Sequence, residues 1–384
     1  MMKKIFKFLG LFFLAKLVFL NIYIFASGKT YVYKAVIYNF ADIDDYKIFD
    51  QAKISPSNEP DKWKIANTYN QTGVFDELNP IHEKLESVAF LVAVGDSIVE
   101  ERYWQGYDST SISNSFSMAK SIVSLLVGIA IDKKYIQSVD QPVGDFLEDF
   151  KVNGKEKITI KHLLSMSAGL SWDESYASPF SMTTEAYYGN DLYKTVSKLE
   201  AVEEPGIKFS YKSGDTEVLA MVLEKATGMK TSDFAQKMLW SKIGAEREAQ
   251  WSLDQKGGIE KAYCCFYSNA RDFARIGRLI LNQGIWNGDT IVSPEYLMKA
   301  LKPSELIHHK TGNKIDFYGW QFWLIPNHKG EDIVYCRGIL GQYIICVPSK
   351  DAVIVRLGKK RGEKIGEAEH YAETFDMIEA VRKL

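Results

Sequence analysis

The chain is poor in cysteine and histidine. Of 384 residues only four are Cys (Cys264, Cys265, Cys336, Cys346) and six are His. No C-x-x-C spacing and no H-E-x-x-H pattern occurs, so a zinc site has no scaffold and no metal is expected. Cys264 and Cys265 are adjacent and are expected to stay unbridged, and the four thiols read as buried and free. Charge of one sign is lacking too, since 47 basic residues meet 49 acidic ones for a formal net charge of −2. A nucleic-acid binder needs a basic excess or stripe, so no nucleic-acid partner is expected. There is no internal repeat, no low-complexity segment and no G-x-G-x-x-G or G-x-x-x-x-G-K-[ST] loop, so no nucleotide cofactor is indicated. With 46% hydrophobic and 25% charged residues, the chain is ordinary globular material with ample core.

The one long hydrophobic run is N-terminal. Lys3, Lys4 and Lys7 precede an apolar stretch that closes at Ala26-Ser27-Gly28, the grammar of a secretory signal. The run is also long enough for an uncleaved anchor. Lys16 in its middle would cost ~2.5–3.5 kcal/mol at a bilayer centre, which weakens a permanent span. Either reading implies export, to a periplasm or the cell exterior, with membrane attachment through residues 5–26 as one outcome.

Strand patterns lie toward both ends of the chain and helices fill the middle. Residues 31–40 are strand-like, and 29–80 read as an N-terminal extension. Residues 86–104 form two strands around Gly95-Asp96. Met118, Ile122, Leu125, Leu126 and Ile129 recur at helical spacing. Further helices are predicted over 216–226, 232–240, 269–282 and 366–383, and strands over 318–325, 332–336, 342–347 and 352–357. This order predicts an α/β fold of the α+β type: an antiparallel sheet built from both chain ends and flanked by helices, with a mainly helical second lobe. The expected division is 81–115 with 262–384 as the sheet domain and 116–261 as the helical one, the active site between them.

Three elements carry the chemistry. Ser117-x-x-Lys120 opens the apolar helix, and positions i and i+3 share a helix face. The hydroxyl stands where the helix N-terminus favours negative charge, and a half-buried lysine behind it has a lowered pKa and can act as a base. The alternative is an unremarkable surface pair. Tyr211-Lys212-Ser213 precedes a second helix, where Tyr211 can shuttle a proton and Ser213 can bind the lysine or substrate. For a third element, a strand edge closing the pocket, Lys310-Thr311-Gly312 competes with Cys336-Arg337-Gly338-Ile339-Leu340-Gly341-Gln342. The second leads directly into a strand and is preferred.

Phe116-Ser117-Met118-Ala119-Lys120-Ser121, the segment Ile160 to Leu170, Pro205-Gly206 through Tyr211-Lys212-Ser213, Ser268 to Gly277, and Gly338-Ile339-Leu340-Gly341-Gln342 fall in one order over residues 85–360. In this the chain resembles the serine β-lactamase and penicillin-recognising superfamily. The resemblance falls within the class C-like branch, which also holds esterases, D-amino-acid peptidases and 6-aminohexanoate-dimer hydrolases. The resemblance implies a β-lactamase/transpeptidase-like fold with Ser117 as nucleophile, Lys120 as base and Tyr211 as proton donor to the leaving group. The N–H groups of Ser117 and Ile339 would form an oxyanion hole. Tyr176, Ser213, Arg337, Gly338, Ile339 and Gln342 would meet substrate, with a plain loop aromatic the rival reading of Tyr176 and a solvated arginine that of Arg337. Cys336 stands where class C β-lactamases carry a lysine, and Ser213 where they carry asparagine, so the implied activity is a serine hydrolase acting on an ester or amide of a small molecule or short peptide. The alternatives are a D-alanyl peptidase or β-lactamase, and a non-catalytic cell-wall binding protein.

Overall fold

The computed structural model describes residues 2–366 and 368–384. In chain order, the helices that frame the site are α1 (Met2–Ala26), α2 (Tyr31–Tyr38), α3 (Met118–Asp132), α4 (Ile160–Leu164), α5 (Met182–Tyr188), α6 (Ser213–Thr227), α7 (Ala270–Leu281) and α8 (Ala372–Arg382). The strands are β1 (Gln51–Ile54), β2 (Lys64–Ile65), β3 (Ser87–Val94), β4 (Ser97–Tyr103), β5 (Ser113–Asn114), β6 (Ala249–Ser252), β7 (Phe266–Ser268), β8 (Trp323–His328), β9 (Glu331–Gly338), β10 (Gln342–Val347) and β11 (Ala352–Gly358).

The main sheet has the order β8-β9-β10-β11-β3-β4-β2. It is antiparallel except where β2 joins β4. Both ends of the chain therefore build it, as the pattern of strands implied. Alternate residues of each strand face opposite sides. Leu91, Ile344, Val353 and Val355 belong to the core that includes α3 and α7. Phe90, Val92, Ile345 and Ile354 meet Met377, Ile378 and Val381 of α8. The central strands are buried on both faces, which is why they read as continuous aliphatic runs. Gly277 lets α7 lie close on the sheet, since a methyl there would strike Val353 and sit 2.8 Å from Ile344.

A smaller sheet, β1-β6-β7-β5, ties the N-terminal stretch to the middle of the chain. Its strand β5 runs straight into the nucleophile candidate. The helix α3 packs on α6, and α6 packs on α4.

Two expectations are corrected. Residues 31–38 are helical rather than extended. Tyr31, Val32 and Ala35 are buried, a one-sided helical spacing, and α2 packs on α5. The β-propensity of Tyr, Val and Ile yields there to tertiary packing. Cys264 and Cys265 are bonded to each other, with Cα atoms 3.8 Å apart. Cys265 takes the left-handed backbone conformation at φ 64°, and this turn brings the two sulfurs together. Cys336 and Cys346 are free and buried as expected.

Among the described residues, one helix segment, Ile5–Ala26, is long and apolar enough to cross a membrane. Nearly all of it is exposed until Ile24, which packs into the core.

Candidate active site

The turn that presents Ser117 is set by its neighbours. Ser115 N–H donates to Phe266 O at 2.8 Å, and Phe116 N–H donates to Asn114 Oδ1 at 2.8 Å. Phe116 takes φ 43°, an uncommon conformation for an aromatic residue. The chain thus leaves β5, turns sharply and enters α3 with Ser117 as its half-buried N-cap.

One turn further, Lys120 is 1% exposed. Its Nζ donates to Ser117 Oγ at 3.1 Å, to Ser213 Oγ at 3.1 Å and to Tyr263 O at 2.7 Å. The ammonium has three protons and three acceptors. Burial pulls its pKa down to about 8, with Glu174, Glu217 and Asp215 acting against that fall. Once neutral, the amine has a lone pair that can accept from the Ser117 hydroxyl, since the Tyr263 carbonyl has no proton to give and Ser213 gives its own to Glu174. The ammonium also faces the Tyr211 and Tyr263 rings at 5.3 and 5.5 Å.

Tyr211 is held edge-on by Tyr318 and tilted against Trp323, with ring centroids 6.0 and 5.6 Å away. Burial raises its phenol well above the ordinary tyrosine range, with the nearby Ser117 hydroxyl opposing the rise. The phenol is therefore protonated at neutral pH and suited to give a proton rather than take one.

Two residues outside the expected set complete this cluster. Glu174 accepts from Ser213 N at 2.6 Å, from Ser213 Oγ at 2.7 Å and from Tyr176 OH at 2.5 Å. Ser213 is thus oriented from both sides, giving its proton to Glu174 and its lone pair to Lys120. Tyr263 enters through its carbonyl. Its N–H and that of Ala262 reach Glu217 Oε2 at 3.4 and 2.9 Å. Glu174 lies in the Asp173-Glu174-Ser175-Tyr176 stretch, so a carboxylate two residues before a candidate tyrosine was the available signal. For Tyr263 the sequence holds no signal, because a backbone carbonyl has no residue type.

The third element is the turn after β9. A methyl on Gly338 would clash with the Ser115 carbonyl oxygen and lie 3.1 Å from Phe116 Cβ. This strand end therefore rests directly on the backbone that presents Ser117. Ile339 and Ser117 border the same cavities. Arg356, buried, donates to Gly341 O at 2.7 Å and to Leu85 O at 2.8 Å, and so pins the turn to the sheet. Gln342 does not face a cavity. Its side chain donates to Ile339 O at 3.1 Å and to Gly358 O at 2.6 Å and accepts from Gly358 N, so it holds the turn. Arg337 lies flat on Trp323, 3.3 Å from the ring centroid, and donates to Glu369 O. Cys336 is fully buried, its thiol pushed up to about 12 by burial, and brings no charge to the site.

Ser117 stands where two cavities of about 530 and 510 Å³ meet. The first is mostly apolar, walled by Ala35, Val36, Phe40, Tyr187, Tyr188 and Leu340, with Tyr176 and Ser213 near Ser117. The second is polar and contains Tyr211, Glu174, Lys212, Lys310, Arg337 and Gly338. Lys310-Thr311-Gly312 is therefore a neighbour of the site, although Gly338 and not Gly312 contacts the backbone at Ser117.

The Beta-lactamase family profile matches residues 75–374. Over 299 residues the chain is 29% identical to the 6-aminohexanoate-dimer hydrolase of Paenarthrobacter ureafaciens, covering 73% of this chain and 75% of that protein. Among solved structures, a Bacillus anthracis protein provisionally assigned as a 6-aminohexanoate-dimer hydrolase superposes with a TM-score of 0.75 at 21% identity, over 89% of this chain and 91% of that one. A family VIII carboxylesterase superposes with a TM-score of 0.66 at 17% identity, over 84% and 99%. At these identities the two structures speak for the fold alone.

Proposed function

The chain belongs to the beta-lactamase family and is a hydrolase, and from that premise we propose that it cleaves an ester or amide bond through a covalent acyl-enzyme on Ser117. The observation that carries this reading is Lys120, fully buried, with Nζ 3.1 Å from Ser117 Oγ and its pKa lowered to about 8. Neutral Lys120 takes the Ser117 proton as Oγ bonds to the substrate carbonyl carbon. The N–H groups of Ser117 and Ile339 receive the developing oxyanion, a contribution typically worth about 10²–10³ in rate per donor. The bond to the leaving oxygen or nitrogen breaks as Tyr211 protonates it, and the Lys120 proton restores the phenol. Water then attacks the acyl-enzyme, loses its proton to the same relay and frees Ser117 and the acid. The apolar helix Ile5–Ala26 supports an exported enzyme, delivered by a signal or held by an anchor.

A second reading, hydrolysis of D-alanyl peptides or β-lactams, is favoured by Arg337 and Lys310, two cations at the polar cavity able to bind a carboxylate. Intact-mass measurement after a fluorophosphonate probe tests the shared mechanism. One adduct on the wild type and none on Ser117→Ala is expected, and an adduct that persists in the variant overturns it. Rapid nitrocefin turnover with little p-nitrophenyl butyrate turnover would favour the second reading.

A further inference from the structure

The two cavities differ in chemistry, and the machinery between them is not symmetric. Tyr211, the proton donor to the leaving group, borders only the polar cavity. The leaving group therefore departs into the polar side, and the acyl part is left for the apolar side. That apolar cavity is closed by α2, which follows α1 after a four-residue link. Ala35 of α2 is buried against the body, whereas Val36, Ile37 and Phe40 beside it are 70%, 74% and 73% exposed. Val36 and Phe40 border the cavity while facing outward. The end of α1 is seated on the same region, with Tyr23 against Phe180 at 6.2 Å and Lys29 above both rings. An apolar rim thus stands beside a helix long and apolar enough to cross a bilayer, the kind of surface that lies against lipid chains.

We propose that the substrates are acyl amphiphiles drawn from a lipid surface, with the acyl chain in the α2-walled cavity and a polar alcohol or amine leaving into the cavity of Tyr211. This rests on acylation of Ser117 as proposed above. The Ser117 Oγ–carbonyl bond forms and the bond to the leaving group breaks. The leaving group takes the Tyr211 proton, and water later releases the fatty acid.

The test uses the full chain in detergent and in phosphatidylcholine vesicles, with p-nitrophenyl acetate, butyrate, hexanoate and octanoate. From acetate upward, kcat/KM is expected to rise about two- to fourfold per methylene until the cavity is full, since each buried CH₂ contributes up to ~0.8 kcal/mol. Ala35→Trp is expected to lower the octanoate-to-acetate ratio at least tenfold. Val36→Trp, at an exposed position that does not threaten folding, is expected to lower it several-fold. A flat or falling series with turnover that still requires Ser117 overturns the acyl-chain assignment and leaves the serine-hydrolase reading standing. Absence of any Ser117 acyl adduct overturns both. Octanoate in vesicles is expected to turn over at least as fast as dissolved octanoate, and Ile37→Lys is expected to remove that parity. Slower turnover in vesicles overturns the bilayer as the source.

Discussion

Glu174 and Ser213 are joined twice, through Ser213 N at 2.6 Å and Ser213 Oγ at 2.7 Å, although 39 residues separate them in the chain. Ser213 then accepts from Lys120, so a carboxylate is coupled through one hydroxyl to the base of the proposed mechanism.

The pH dependence follows from that coupling. Lys120 acts as a base only when neutral, and its pKa is about 8. kcat/KM should rise about tenfold per pH unit below 8 and level off above it. Glu174 favours the ammonium, so Glu174→Gln should lower the Lys120 pKa and move the rising limb to lower pH. A pH profile of p-nitrophenyl butyrate turnover checks both, and a limb that moves upward in the variant would contradict the coupling.

Asp215 gives a stability prediction. It is buried in the first turn of α6 without a side-chain partner, and burial raises its pKa to about 8. The folded state then binds more protons than the unfolded one between the ordinary carboxyl pKa and 8. Stability from this group is full below the unfolded pKa and is lost as pH rises through the folded one. Asp215→Asn should therefore gain on the wild type between pH 5 and pH 8. Urea unfolding at the two pH values measures the difference, and Glu217, which shifts in the same direction, cancels in the comparison.

Gln342→Ala removes three hydrogen bonds around the turn that carries Ile339. Unpairing buried backbone groups costs about 1–3 kcal/mol. The variant should melt lower and lose kcat to a similar degree for every substrate, because the residue's hydrogen bonds position the turn. A loss confined to KM for one substrate class would instead put Gln342 in contact with that substrate.

Gly338 and Gly312 separate the two candidate third elements. Gly338→Ala must push against the Ser115 backbone and should abolish Ser117 labelling. Gly312 has open space around it, and its cost on substitution is confined to a φ of 74° in a loop. Gly312→Ala should keep Ser117 labelling at near wild-type rates. Fluorophosphonate labelling rates of the two variants decide between the elements.

Much of the fold was legible because it is local. The aliphatic and β-branched runs of β3, β10 and β11 and the 3.6-residue spacing of α3 are properties of neighbouring residues. Gly228 at φ 69° caps α6, which ends one residue past the helix expected over 216–226. The strand expected over 318–325 begins later, at Trp323, because Gly319 and Trp320 are held against Ala300 instead. The helices Met182–Tyr188 and Leu192–Ser197 were hidden in a stretch whose aromatic residues read equally well as loop.

The sequence by itself determined the Ser117–Lys120 pair, since a spacing of three on a helix leaves the two side chains on one face whatever surrounds them. It also determined the strands of the sheet, whose side chains alternate with the backbone. Tertiary structure alone decided which partners arrive from far away. These are Glu174 at Ser213, the Tyr263 carbonyl at Lys120, Gly338 against Ser115, and α2 over the apolar cavity. It also turned Gln342 inward and closed the Cys264–Cys265 bond. Covalent neighbours impose periodicity through backbone geometry. Contacts across tens or hundreds of residues depend on how whole elements pack, and no short stretch of sequence records that.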